Sequence, residues 1–346
     1  MYGLDHCRFA AAFFNNALMF LLKGASMTHL QRHYVAAYCR NALLRCCRKV
    51  AGGRLRPQSY YGKRIMTDEE GNVFLFESLS MGNPFAVGRL GSTELRTLVQ
   101  YIGVELGLFE NINKIFGKYL CSSSGFFPNE DRYLLKFGRV MQEAASQVDL
   151  LVVWNNPIPM EDYVAEQWLK RAYLMKRSGL EPYPVCYTRP WTKALEGRKV
   201  LVVHPFVDSI RKQYEKNRDK LFANKDILPE FELHTIRAVQ TVANTKCEFK
   251  DWFEALESMV EQASRIDYDI AIIGAGAYGF PLAARLKQQG KQAIHLAGST
   301  QILFGIKGRR WDNIPELAKH YNEHWVYPLE HEKPEKAEAA GVRDYW

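Results

Sequence analysis

After residue 80 the chain repeats one pattern: a short, continuously apolar, β-branched run, then a stretch with apolar residues at helical spacing. The runs are Phe85–Arg89, Leu150–Trp154, Val200–His204, Phe231–Arg237, Ile270–Ile273 and Gln292–Leu296. Between them lie Glu94–Leu108, Glu130–Ser146, Pro159–Ser178, Val207–Phe222, Phe249–Ile266 and Pro281–Gln289. A strand that is apolar at every position must be covered on both faces, and strands separated by helices run parallel. The pattern therefore predicts an α/β chain with a mostly parallel sheet and helices on both faces. Such sheets hold ligands outside the carboxyl ends of their strands, so the residue just after each run is where chemistry is expected.

The flanks read differently. Phe9–Leu22 is apolar but only 14 residues long and is interrupted by Asn15 and Asn16, short of the ~20 residues a membrane span needs. From Thr28 to Val50, Leu30, Tyr34, Ala37, Tyr38 and Leu44 fall at helical spacing among Arg32, Arg40, Arg45, Arg48 and Lys49. That basic amphipathic helix suits either an anionic membrane surface or the side of a protein body. Ala51-Gly52-Gly53 ahead of Pro57 ends it, and Glu330–Trp346 is charged without periodicity. The expected division is an apolar and basic helical segment at 1–55, one α/β domain at 56–329, and a loose tail at 330–346.

Hydrophobic residues at 47% and charged residues at 24% exclude wholesale disorder, collagen and coiled coil. The 7 cysteines are scattered and contain no C-x-x-C pair, so a reducing, cytoplasmic location is expected, with residues 28–50 as a contact to the inner face of the membrane. A net charge of +8 suits a phosphate-bearing ligand, an anionic membrane surface or nucleic acid. The cations form no aromatic-interleaved stripe past the first fifty residues or so, which argues against a specific nucleic-acid partner.

Four strand ends carry candidate chemistry. Gly274, Gly276 and Gly279, with Tyr278 between them, form a G-x-G-x-x-G turn from an apolar strand into a helix, the setting in which backbone N–H groups meet a pyrophosphate. The same turn would serve an NAD(P) oxidoreductase, or packing alone. A dinucleotide site expects an acid at the end of the next strand, where this chain has His295. Arg89, Gly91, Ser92 and Glu94 follow the first strong strand. Glu94 in the first helical turn, with Ser92 as the cap, serves either the helix dipole or a sugar or divalent cation, with Arg89 balancing its charge. Asn155 and His204 close two further strands as a binding and a proton-accepting candidate. Lys307 and Arg310 stand in a loop of glycines and aromatics (Phe304 to Trp311) suited to a diphosphate.

Three segments in order, Arg89 to Leu95, Leu195 to Phe206, and Gly274 to Ala283 followed by Gly290 to Ile294, resemble the GT-D-type glycosyltransferases, a bacterial group once known only as a domain of unknown function. The resemblance implies a Rossmann-like fold and transfer of a sugar from a nucleotide-sugar donor to a surface polysaccharide, glycan or lipid-linked glycan. It also implies an Asp-x-Glu donor or metal site for Mn²⁺ or Mg²⁺. Here that segment reads Ser92-Thr93-Glu94, so metal contact falls on Glu94 alone, and His295 stands where relatives commonly carry Asp. A non-catalytic nucleotide-sugar-binding protein is the alternative within the same resemblance.

Overall fold

The computed structural model describes residues 27–50, 57–155, 158–183, 187–242, 245–334 and 345–346; the apolar segment 9–22 lies outside them. The chain opens with helix α1 (His29–Val50), a small hairpin β1–β2 (Ser59–Tyr60, Lys63–Arg64) and α2 (Asp68–Ser80). There follow β3 (Phe85–Gly88), α3 (Ser92–Glu105), α4 (Lys114–Ser124), α5 (Asp131–Ala145), β4 (Leu150–Val153), α6 (Glu161–Trp168), β5 (Tyr173–Lys176) and α7 (Arg177–Leu180). The second half holds β6 (Lys199–His204), α8 (Val207–Leu221), β7 (Glu232–Arg237), α9 (Trp252–Ser264), β8 (Ile270–Ile273), α10 (Gly279–Gln288) and β9 (Gln292–His295). Three short helices close it: α11 (Ser299–Leu303), α12 (Arg309–Asp312) and α13 (Pro315–Ala318).

Strands β3 to β9 form one seven-stranded sheet in the order β5-β4-β3-β9-β8-β6-β7, every pair parallel. The expected α/β class, Rossmann-like with helices on both faces, is what the chain adopts. From β3 the chain winds outward through β4 and β5, crosses to β6 and β7 at the other edge, and returns to fill the middle with β8 and β9. The winding reverses beside β3, at the carboxyl ends of β3, β9 and β8, the place where doubly wound sheets form their ligand crevice.

Alternate strand residues feed two cores. Leu151, Val153, Leu201, Val203, Ala271 and Ile273 point to one face, and Leu150, Val152, Val200, Val202, Ile270 and Ile272 to the other. Helix α5 presents Leu134, Phe137, Gly138, Met141, Ala144 and Ala145 to the first core, a period of three to four residues that makes one apolar stripe. α2 starts with a reciprocal cap between Thr67 and Glu70 and three acids in its first turn, which satisfies otherwise orphan N–H groups and complements the dipole. α1 packs on the body: Tyr34, Ala37, Tyr38 and Asn41 are buried, and the Tyr34 hydroxyl donates to the Val99 carbonyl at 2.9 Å. Among the described residues no helix is long and apolar enough to cross a membrane.

Two expectations need correction. The predicted helix Pro159–Ser178 is helix α6 followed by strand β5, which pairs residue for residue with β4. Its amphipathic pattern runs through both elements, and only the free edge of β4 decides that Tyr173–Lys176 extends as a strand. The tail is not wholly loose either. Glu332, Tyr345 and Trp346 pack against the domain, while 335–344 lie outside the described residues.

Gly138 tests the packing. Alanine is favoured over glycine in a helix interior by about 1 kcal/mol. A Cβ there would lie 2.2 Å from Cγ of the buried Tyr101 ring, and overpacking of that kind costs about 1–3 kcal/mol. Gly138→Ala is expected to lower stability in urea denaturation; a more stable variant would show that α3 and α5 yield at this contact.

Candidate functional site

Arg89 follows β3 directly, at the crevice. Its side chain is 9% exposed, and among the described residues it has no carboxylate partner and no hydrogen-bond acceptor. Its guanidinium lies 4.9 Å from the centre of the Trp154 ring, and Trp154 follows β4 in the same way. A second guanidinium, Arg177 after β5, lies 5.5 Å from that indole. Burial, then the like charge of Arg177, pushes Arg89 down to about 10, against the nearby Glu181. The side chain is therefore a buried cation at neutral pH whose neighbours include more positive charge than negative. Arg310 joins this field, bonded to the Tyr345 hydroxyl at 3.1 Å and stacked on Trp311.

The platform is held from behind. The Trp154 indole donates to the Leu90 carbonyl at 2.7 Å, and its main-chain N–H donates to Glu161 at 3.3 Å. Tyr60 of the hairpin donates to the same carboxyl at 2.8 Å. Glu161 is fully buried, and burial pushes its carboxyl up to about 7 against the hydrogen bonds that favour its charge. On the β9 side, Ser299 donates to Glu181 at 2.9 Å, and Arg177 lies 3.5 Å from it. Among the described residues the Tyr183 and Thr300 hydroxyls are buried without a hydrogen-bond partner, and Nε of Arg177 has only its ion pair to Glu181. Orphaned polar atoms are costly, and here several stand around the same strand ends.

The remaining expected residues divide. Gly91 is the N-cap of α3, so Ser92 is its first residue and not the cap. The buried Glu94 carboxylate folds back on Gly91, where a Cβ would lie 2.0 Å from its oxygen, and takes the Thr93 hydroxyl at 2.9 Å. No ion pair joins it to Arg89, contrary to the expected charge balance. Asn155 sits at the end of β4, facing Ser178 at 3.4 Å. The three glycines press on the protein itself: a Cβ at Gly274 would meet His204 at 2.5 Å, at Gly276 the Ser124 carbonyl at 2.7 Å, and at Gly279 the His295 ring at 2.2 Å. Tyr278 stacks on Trp252 at 5.0 Å. Gly276 itself is exposed at the carboxyl end of β8. His204 accepts the Phe206 N–H on Nδ1, and burial pushes it down to about 3, which makes it a weak proton acceptor. His295 is likewise pushed down to about 3, by burial first and the Arg89 charge second. The Lys307 ammonium lies over Tyr321 and Tyr327, at 5.1 and 5.9 Å from their ring centres.

Arg177, Glu181, Glu161, Tyr183 and Ser299 escaped sequence reasoning. The first two were hidden because β5 read as part of a helix, so the strand end they follow was not recognised.

Among the described residues Glu94 belongs to no group of three potential metal ligands. Among the described residues the one group of three potential ligands is Asp208, His331 and Glu332. There Arg237 already holds Asp208 at 2.6 Å, and the amides of Asp208 and Ser209 feed Glu332. That is a strap for the start of α8. One carboxylate does not make a resident cation site on protein atoms.

No family model and no curated protein sequence matches the chain. Two solved structures align with it, each over 78% of this chain and 92% of its own: a selenomethionine-substituted structure of the domain of unknown function 1792 (11% identity, TM-score 0.42), and a structure of that domain described as having a distinct glycosyltransferase fold (12% identity, TM-score 0.40).

Glu161 gives the site a pH signature. Between about pH 4.5 and 7 the unfolded chain has lost this proton and the folded chain keeps it. Stability therefore falls as pH rises through that window, by roughly 3 kcal/mol in all, because each pH step crossed costs ~1.4 kcal/mol. The two depressed histidines act in the opposite sense between about pH 3 and 6.5, so the readout is a difference. Glu161→Gln is expected to gain on the wild type from pH 4.5 to 7 in chemical denaturation; parallel curves would refute the buried acid.

Proposed function

We propose that the chain is a glycosyltransferase that takes its sugar from a nucleoside diphosphate donor. The observation that carries this reading is Arg89, a buried guanidinium with no anion of its own among the described residues, at the winding reversal of a parallel sheet and flanked by Arg177 and Arg310. A diphosphate supplies the missing charge, and an arginine fork matches its oxygens. The three motif segments support the transferase class. Two of them meet at this crevice, through Arg89 to Glu94 and through Gly274 to Gly279.

In this reading Arg89 and Arg177 hold the diphosphate and stabilise the negative charge that grows on it as the sugar departs. Trp154 is the flat surface that keeps the two guanidiniums apart and oriented. Glu94 accepts hydrogen bonds from the donor sugar, and the Gly276 main chain lines the approach. His204 is left out of the proton transfer for the reason given above. The acceptor implied by the motifs is a polysaccharide or other glycan, and the transfer is assigned to cationic side chains, with no step routed through Mn²⁺ or Mg²⁺. NAD(P) is the weaker ligand, because the glycine turn is filled by His204, Ser124 and His295 and the following strand ends in His295.

Arg89→Met separates ligand binding from structure. Removing an uncompensated buried charge is expected to raise the stability of the free protein by about 1–3 kcal/mol. The same change is expected to weaken binding of UDP or GDP by roughly 30-fold or more, as for a lost partner of a desolvated charge. Urea denaturation and calorimetric titration read the two effects. A destabilised variant would make Arg89 structural, and unchanged nucleotide binding would overturn the donor site.

A further inference from the structure

A groove of about 330 Å³ opens beside this site and has no role in the mechanism above. Its walls are Cys121 on α4, Phe126, Phe127 and Pro128 just after that helix, and Cys247 and Phe249 ahead of α9. It lies at the carboxyl end of the sheet, since Thr241 in its lining follows β7. Cys121 is one turn before Ser124, whose hydroxyl meets that of Thr93, the neighbour of Glu94.

The chemistry of the lining selects its occupant. A sugar needs several free hydrogen-bond partners, but the polar groups here are engaged internally. The Thr241 hydroxyl donates to the Gly125 carbonyl, that of Thr245 to Val242 at 2.8 Å, and the Cys247 thiol to Phe249 at 3.7 Å. Asn129, exposed at the rim, packs its Oδ1 against Gly117 and is the one amide the lining leaves to solvent. Apart from the Asn129 amide, too few polar groups for a sugar, the described lining offers aromatic and thiol-bearing apolar surface with one exposed cation, Lys246, and no carboxylate. We propose that the groove binds the apolar chain of a phosphate-headed lipid, the chain against Phe127 and Phe249 and the head at Lys246. Such a molecule stands where the acceptor of the proposed transfer would enter; only that last identification rests on the transferase reading.

The test uses the full chain and dodecyl phosphate below its micelle concentration, with the rate of iodoacetamide alkylation at the half-buried Cys247 as readout. Dodecyl phosphate at ten times its Kd is expected to slow alkylation about tenfold by simple occupancy. Inorganic phosphate is expected to give no protection. Phe127→Asp is expected to abolish the protection by placing a charge against the chain, and Lys246→Glu to weaken it by repelling the head. Urea denaturation of both variants reports whether they are folded; should Phe127→Asp not fold, Lys246→Glu carries the test alone. No protection by dodecyl phosphate, equal protection by inorganic phosphate, or undiminished protection in Lys246→Glu would each overturn the proposal. Protection with UDP binding absent would instead sink the transferase reading and leave the lipid site standing.

Discussion

The structure turns on the charge of Arg89, which no carboxylate among the described residues pairs. A guanidinium taken out of water without a counter-ion is among the least favourable things a fold can contain, and this one is enclosed by construction. β3 places it at the mouth of the sheet, Trp154 covers one side, and Arg177 adds like charge against the same indole. Glu181 moderates the field, but Ser299 and Arg177 share that carboxylate. Among the described residues the buried hydroxyls of Tyr183 and Thr300 lack hydrogen-bond partners. Among the described residues these strand ends thus leave one buried cation and two buried hydroxyls without partners of their own.

Holding such a site open requires stiffness elsewhere. The crevice floor is a parallel sheet with dry cores on both faces, and close-packed interiors of that kind yield little. Glu161 ties the indole main chain to the β1–β2 hairpin through Tyr60, so an element remote in sequence orients the platform. The glycine turn contributes in an unexpected way. Its small residues admit His204, Ser124 and His295 into contact with the backbone, which fixes the turn against β6, α4 and β9. The signature of a phosphate loop is thus also the signature of close internal packing, and the motif by itself does not separate the two.

Particular elements show where reading the sequence succeeded. The strands from Phe85 to His295 were legible because a doubly covered strand must be apolar throughout, and no helix of comparable length needs that. The crevice residues Arg89, Glu94 and Gly276 followed from their places just after those strands. Arg177 and Glu181 did not, because β5 takes its extended form from pairing with β4, an interaction between residues some twenty positions apart. Charge balance was misjudged for a related reason: Arg89 and Glu94 are neighbours in sequence, yet the strand-to-helix turn sends them to different partners.

The sequence by itself determined the layered α/β architecture and the strand-to-helix turns at which Arg89, Glu94 and Gly276 stand. These rest on periodicity and on local turn chemistry, which neighbouring residues fix among themselves. Tertiary structure alone decided which cations lack a counter-ion, that His204 is too buried to accept a proton readily, and that Glu161 holds its proton toward neutral pH. Those are properties of desolvation and of distance between remote segments. Both are set by what folds over a side chain and neither by the residues beside it in the chain.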